Sequence, residues 1–238
     1  MPNLGIDMQW FISVILLIIG GYLLGSIPSA YLAGKWIRGI DLREYGSGTV
    51  SGSMVWEHVA KWAIAPVGLF DIFKGFLPTW LTLRFDLGES AAVMVGLAAV
   101  IGHNWPLYLN FQGGRGLSPF LGNLLALFPL GCFIMLLSLG IGYLLTFAPL
   151  PLITILLMPV FANIFNGPSA ILELSVGMLL ITLCKRLEAN RRPLPKDPEE
   201  RKKVIFLRIF YDRDIQDQKE WIRREPKNQT SLPQHKEP

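Results

Sequence analysis

The chain has 238 residues, 51% of them hydrophobic and only 17% charged, with a formal net charge of +4. No charged residue occurs between Arg115 and Glu173, whereas 15 of the 22 Lys and Arg lie from Lys185 onward. This distribution excludes a soluble single-core domain and a basic, aromatic-interleaved nucleic-acid reader, and it describes an integral membrane protein whose cations sit beside anionic headgroups.

The first predicted element is an apolar span from about Trp10 to Tyr31. No basic segment precedes it and Gly20, Gly21, Gly25 and Pro28 interrupt it, so it is expected to be a retained span rather than a cleaved signal peptide. A polar loop, RGIDLREYGSGTVSGS, follows from Arg38 to Ser53. Val59 to Leu83 is long enough to cross a bilayer at ~1.5 Å per residue, although Pro66, Asp71, Lys74 and Pro78 break its apolar run. After a polar turn at Arg84, Asp86 and Glu89, residues Ala91 to Leu109 cross back.

Basic residues at 35, 38 and 43, and the dense cluster from Lys185 to Lys203, put the first loop and the C-terminus on the cytoplasmic side. The segment FQGGRGLS, residues 111 to 118, then falls on that side too, which requires an even number of spans between Gly116 and Lys185. Two or four satisfy this; the prolines at 129, 149, 151, 159 and 168 cut the region into short pieces and favour four. The expected fold is an all-α polytopic helical bundle of about seven short transmembrane helices, with the N-terminus outside. Residues 1–190 form the membrane domain and 191–238 a charged cytoplasmic tail. In the tail, Val204, Leu207, Phe210 and Tyr211 share a helical face, which fits either an amphipathic helix on the headgroups or a small helix packed on the loops. Residues 226 to 238 are expected to be disordered.

Candidate chemistry concentrates at the cytoplasmic ends. Gly113 and Gly114 permit close backbone approach to a ligand, and Arg115 beside them offers a fork of donors shaped for phosphate or carboxylate. Gly46 and Gly48 bracket Ser47, and Ser51 to Ser53 form a second small patch; backbone N–H groups and hydroxyls there either cradle a phosphate or simply make a flexible loop. Asp71 and Lys74, three apart on one helical face, either neutralise each other or leave Lys74 for an anionic substrate. His103 and Asn104 sit where a span reaches the interface. With histidines only at 58, 103 and 235, no metal-ligand spacing and no serine-histidine-acid arrangement is legible; Cys132 and Cys184 read as packing residues.

The blocks GSIPSAYLAGK, DLREYGSG, DIFKG and IGHNWPLYLNFQGGRG, in this order, resemble the bacterial acyl-phosphate:glycerol-3-phosphate acyltransferases. That family carries motifs of the form GSIP, GSGNxGATNxxR, DxxKG, GHxxPxxxxFxGGKG and HxxN. The resemblance covers roughly residues 20 to 190. It implies an integral membrane enzyme, without metal or nucleotide cofactor, that moves an acyl chain from acyl phosphate to the 1-hydroxyl of glycerol 3-phosphate. The product is lysophosphatidic acid for phospholipid synthesis. The resemblance further implies that a substrate phosphate, rather than a side-chain base, assists the proton transfer.

Carried over residue by residue, the resemblance nominates Ser47, Gly48, Lys74, His103, Asn104, Gly113, Gly114, Arg115 and Asn190 as substrate-binding; Ser53, in place of the family threonine, and Lys61, as a substitute cation, join them as candidates. The chain departs from the pattern at Thr49, Ser51, Gly52, Ser53, Met54 and Glu57, which stand for Asn, Gly, Ala, Thr, Asn and Arg, and at Leu187, which stands for His. Arg115 replaces a lysine. Glu57 in place of a cation requires that it turn away from the anion or that Lys61, one helical turn on, supply the charge. These departures leave open a non-catalytic descendant that binds an anionic lipid or acyl phosphate as an adaptor or regulator. The mid-span charges also leave open a small transporter.

Overall fold

A computed structural model describes residues 8–225, so the expectation made for 226 to 238 lies outside the described residues. Those residues fold into helices and no strands: α1 (Met8–Gly25), α2 (Ser29–Ala33), α3 (Gly52–His58), α4 (Ile64–Arg84), α5 (Glu89–Asn104), α6 (Leu117–Leu127), α7 (Pro129–Leu144), α8 (Leu150–Ile164), α9 (Ile171–Glu188), α10 (Pro198–Tyr211) and α11 (Gln218–Ile222). Three stretches, Met8–Arg38, Lys61–Arg84 and Glu89–Leu109, are long and apolar enough to cross a membrane, and α6, α7 and α8 are shorter apolar helices.

Proline places the breaks. Pro129 opens α7, Pro149 and Pro151 open α8, and Pro168 stands just before α9, each where a helix start has no N–H to lose. Pro78 lies inside α4 and Pro159 inside α8 without ending them. The first predicted span is divided: α1 stops at Gly25, and Pro28 separates it from the short α2.

Polarity is inverted relative to a water-soluble protein. Phe11, Leu16, Leu69, Phe133, Leu156 and Leu180 are exposed, while Thr79, Asn123, Ser138 and Thr154 are buried. These polar groups are paired across helices, Thr154 to Ser138 at 2.6 Å and Thr79 to Asn123 at 3.2 Å, which satisfies them where lipid offers no partner. An apolar core of Phe120, Leu124, Met135, Ile155, Met158 and Leu174 joins α6, α7, α8 and α9, with Cys132 inside it.

Helix α6 lies hardest against α4, and α1 against α5. The α4–α6 approach is set by glycine: a Cβ on Gly75 would overlap the Pro119 carbonyl, and one on Gly122 the Ile72 carbonyl. Gly75→Ala is therefore expected to lower the melting temperature in detergent, since overpacking of this kind costs ~1–3 kcal/mol. Gly20→Ala, where a methyl meets nothing within 4 Å, is the control expected to leave it unchanged.

The C-terminal segment folds back over the loops. Asp197 caps α10 by accepting from the Glu200 N–H at 2.9 Å, and Asp217 caps α11 through the N–H groups of Lys219 and Glu220. Of the predicted α10 face, Leu207 is buried and Val204 and Tyr211 are half-buried, while Phe210 is exposed. Arg208, only 2% exposed, donates to the carbonyls of Leu187 and Arg192 and pairs with Asp214 at 2.6 Å. Of the two readings of the tail helix, packing on the loops is the one these contacts describe.

Candidate active site

Two glycine loops, distant in sequence, meet at one end of the bundle. The Val50 N–H donates to the Gly113 carbonyl at 3.2 Å, and the Gly114 N–H to the His103 carbonyl at 3.0 Å. Asn190, in the left-handed region at φ 52°, donates its amide to the Gly48 carbonyl at 2.7 Å and to the Gly113 carbonyl at 3.2 Å. One side chain thus staples the Ser47 loop to the GGRG loop. Gly114 has no room for a side chain, because a Cβ there would overlap the His103 ring.

The Ser47 loop is held by hydroxyls. Ser47 Oγ lies 2.6 Å from Thr49 Oγ1, which is 3.1 Å from Ser51 Oγ, which is 3.1 Å from the exposed Ser53 Oγ. Three of these, Thr49, Ser51 and Ser53, stand where the family pattern has Asn, Gly and Thr, so these three departures extend a continuous hydrogen-bonded ladder from Ser47. Upstream, Asp41 accepts from the Arg43 backbone and pairs with its guanidinium at 2.6 Å, which holds the Asp41 carboxyl below its usual range.

Beneath the loops, Lys74 and Asp71 are both buried and 2.5 Å apart. Ser29 Oγ donates to Asp71, Lys74 donates to the Ile27 carbonyl at 2.7 Å, and His103 Nδ1 lies 3.7 Å from Asp71. The pair ties α2 and α5 to α4 and takes up the Lys74 charge internally. Asn104 is wholly buried beside Gly116, and its amide has no hydrogen-bond partner among the described residues.

A cavity of ≈ 440 Å³ opens beside this assembly. Ser51, Gly52, Ser53, Asp71, His103, Arg115, Lys185, Arg186 and Asp212 line it, together with apolar side chains at Ile64, Leu117 and Leu139. Arg115 donates to the Lys185 carbonyl at 3.1 Å and sits 3.0 Å from the Asp212 carboxylate, so its guanidinium is fixed from both sides. Gly113 and Gly114 line a smaller crevice next to Lys74 and His103.

Of the eleven nominated residues, Ser53, His103 and Arg115 line the large cavity. Ser47 and Gly48 stand behind it in the staple, with Asn190, Gly113 and Gly114. Lys61 lies apart, exposed and over the Trp56 ring at 5.7 Å. Glu57 turns away from the cavity and pairs with Arg223 of the C-terminal segment at 3.0 Å. Leu187 is 43% exposed and does not line the cavity.

Three charged lining groups escaped sequence reasoning, Lys185, Arg186 and Asp212, and so did the Ser118 and Thr182 hydroxyls. The first two were legible only as topology-setting cations, although their position a few residues before Asn190 was a usable signal. Asp212 carried none, because the contact that brings it to Arg115 joins segments far apart in the chain.

The sequence profile described as glycerol-3-phosphate acyltransferase matches residues 15–193. Glycerol-3-phosphate acyltransferase 5 of Dehalococcoides mccartyi (strain ATCC BAA-2266 / KCTC 15142 / 195) is 36% identical over 217 residues, which is 88% of this chain and 93% of the relative. Glycerol-3-phosphate acyltransferase 4 of Dehalococcoides mccartyi (strain CBDB1) is 35% identical over the same shares. Among solved structures, PlsY (YgiH), an integral membrane glycerol 3-phosphate acyltransferase, superposes in its glycerol 3-phosphate form with a TM-score of 0.66 at 28% identity. That match covers 76% of this chain and 91% of PlsY. The profile runs through both glycine loops and their Asn190 staple, and the relatives align nearly end to end: this chain belongs to the glycerol-3-phosphate acyltransferase family.

Proposed function

We infer that this membrane protein is an enzyme that transfers an acyl chain from acyl phosphate to glycerol 3-phosphate and yields lysophosphatidic acid for phospholipid synthesis. The relatives' shared name and near full-length alignment support this reading over a non-catalytic descendant. It is a multi-pass protein of about seven spans, α1 and α4 to α9, with the N-terminus outside and the glycine loops and C-terminal segment in the cytoplasm.

In the reaction, the 1-hydroxyl oxygen of glycerol 3-phosphate attacks the acyl carbonyl carbon. The carbon–oxygen bond to phosphate breaks, and the hydroxyl proton leaves on a phosphate oxygen, so inorganic phosphate and the ester are the two products. The protein's part is to position two polyanions and stabilise their charge. Arg115 supplies the fork for a phosphate, the backbone of the Gly113–Gly114 and Ser47–Gly48 loops supplies close approach, and Ser53 and His103 border the same space. Ile64, Leu117 and Leu139 offer the acyl chain an apolar wall. Lys74 holds the site's framework through Asp71, and Lys61 faces the headgroups.

The observation that carries this reading is the Asn190 amide bridging Gly48 and Gly113, because it joins the two phosphate-type loops beside Arg115. Purified protein in lipid nanodiscs, given acyl phosphate and glycerol 3-phosphate, is expected to form lysophosphatidate and phosphate one to one. Folded protein that forms no product with any acyl length would end the proposal.

A further inference from the structure

The reaction brings together two phosphate groups, each doubly charged, yet of the three cations nominated from sequence only Arg115 reaches the cavity. Lys74 is neutralised by Asp71, and Lys61 stands over Trp56 on the outer surface. One guanidinium, itself facing the Asp212 carboxylate, cannot balance that charge. The family pattern would have added an arginine and a histidine at the positions of Glu57 and Leu187, and neither of these residues lines the cavity.

Helix α9 presents replacements. Thr182, Lys185 and Arg186 are three and four apart, hence on one face, and all three line the cavity. Lys185 is fully buried, its Nζ 5.0 Å from the centre of the Trp105 ring and 3.0 Å from Glu188. Its ammonium has three donors, and Glu188 accepts one hydrogen bond. The Thr182 hydroxyl is buried in the same wall with no hydrogen-bond partner among the described residues, as is Arg115 Nε. Arg186 is less free, because its guanidinium is committed to the carbonyls of Ile209 and Phe210. Burying an ammonium and a hydroxyl side by side without full pairing is costly unless a polar ligand completes them.

We propose that Lys185, assisted by the Thr182 hydroxyl, is a second phosphate-binding cation of the site and takes over the charge that the chain has lost at Glu57 and Leu187. The inference rests on the acyl-transfer reading for the identity of its ligand. The ligand chemistry is a phosphate monoester or an acyl phosphate, and both substrates carry it. Trp105 beneath the side chain restricts where the ammonium can go, so that the phosphate is placed as well as attracted.

Equilibrium binding separates this inference from the reading beneath it. Wild-type protein in nanodiscs is titrated with radiolabelled glycerol 3-phosphate and, separately, with a non-hydrolysable acyl phosphonate, alongside Lys185→Gln, Lys185→Arg and Thr182→Val. Lys185→Gln is expected to weaken one of the two ligands by about tenfold or more, as loss of a charge-assisted hydrogen bond does, with the melting temperature kept. Lys185→Arg is expected to recover most of the loss, and Thr182→Val to weaken the same ligand by less. The ligand affected identifies which phosphate Lys185 holds. Unchanged affinity for both ligands in Lys185→Gln overturns the proposal, and so does a parallel loss for both with a fallen melting temperature and no rescue by arginine. Wild-type protein that binds these ligands but never turns over defeats the acyl-transfer reading alone.

Discussion

Arg115→Ala is expected to lower kcat/KM by about 10²–10³-fold, the range seen when a preorganised donor to developing charge is removed, with only a small fall in melting temperature from the loss of the Asp212 pair. The magnitude follows from geometry. Arg115 is held by the Lys185 carbonyl on one side and the Asp212 carboxylate on the other, so its remaining donors are aimed before substrate arrives. Alanine loses both the charge and the aim. Arg115→Lys restores the residue of the family pattern and should recover part of the rate, since an ammonium keeps the charge but cannot present a planar fork to a phosphate. Initial rates of lysophosphatidate formation over a range of both substrates check the prediction; full activity in a well-folded Arg115→Ala protein would remove Arg115 from the site.

The second large effect is expected from ending the chain after Lys196. Removing α10 and α11 takes Asp212 from Arg115, and it takes the Ile209 and Phe210 carbonyls from Arg186, which is 7% exposed and would be left buried without those partners. It also removes the Arg208 donors from the Leu187 and Arg192 carbonyls, at the point where α9 hands over to Asn190. On the Ser47 loop, the Gly46 N–H loses the Arg224 carbonyl, and His58 loses the Ile222 carbonyl. The Arg192 guanidinium, which donates to the Gly46 carbonyl, loses the Trp221 ring it lies on at 4.4 Å. Each buried charged group left unpaired costs ~1.5–3 kcal/mol or more, so both melting temperature and turnover should fall, turnover by about tenfold or more. Trp221→Ala should give a smaller loss in the same direction. A truncated protein with wild-type stability and rate would make the segment a mere appendage.

These contacts also give the departures from the family pattern a structural setting. Glu57 engages Arg223, and the Thr49 and Ser51 hydroxyls join Ser47 to Ser53 in one ladder. Residues that read as losses against the pattern are here occupied in holding the first glycine loop and the C-terminal segment together.

The sequence by itself determined that the protein lives in a membrane, that it is helical, where its apolar helices break, and which family motifs it carries. These properties are local. An uncharged run from 116 to 172 needs no distant contact to be insoluble in water, the prolines at 129, 149 and 168 mark helix starts through their own ring geometry, and a glycine pair beside an arginine is legible in a few letters. What only the tertiary structure decided is which charges face the cavity. Lys61, Lys74, Arg115 and Lys185 are all cations near a predicted interface, and nothing local distinguishes them. Lys61 ends exposed over the Trp56 ring, Asp71 and the Ile27 carbonyl sequester Lys74, and the packing of α9 and α10 brings Lys185 and Asp212 to Arg115. Those outcomes depend on contacts between residues far apart in the chain, whose net electrostatic effect is fixed by burial and partner geometry rather than by charge count.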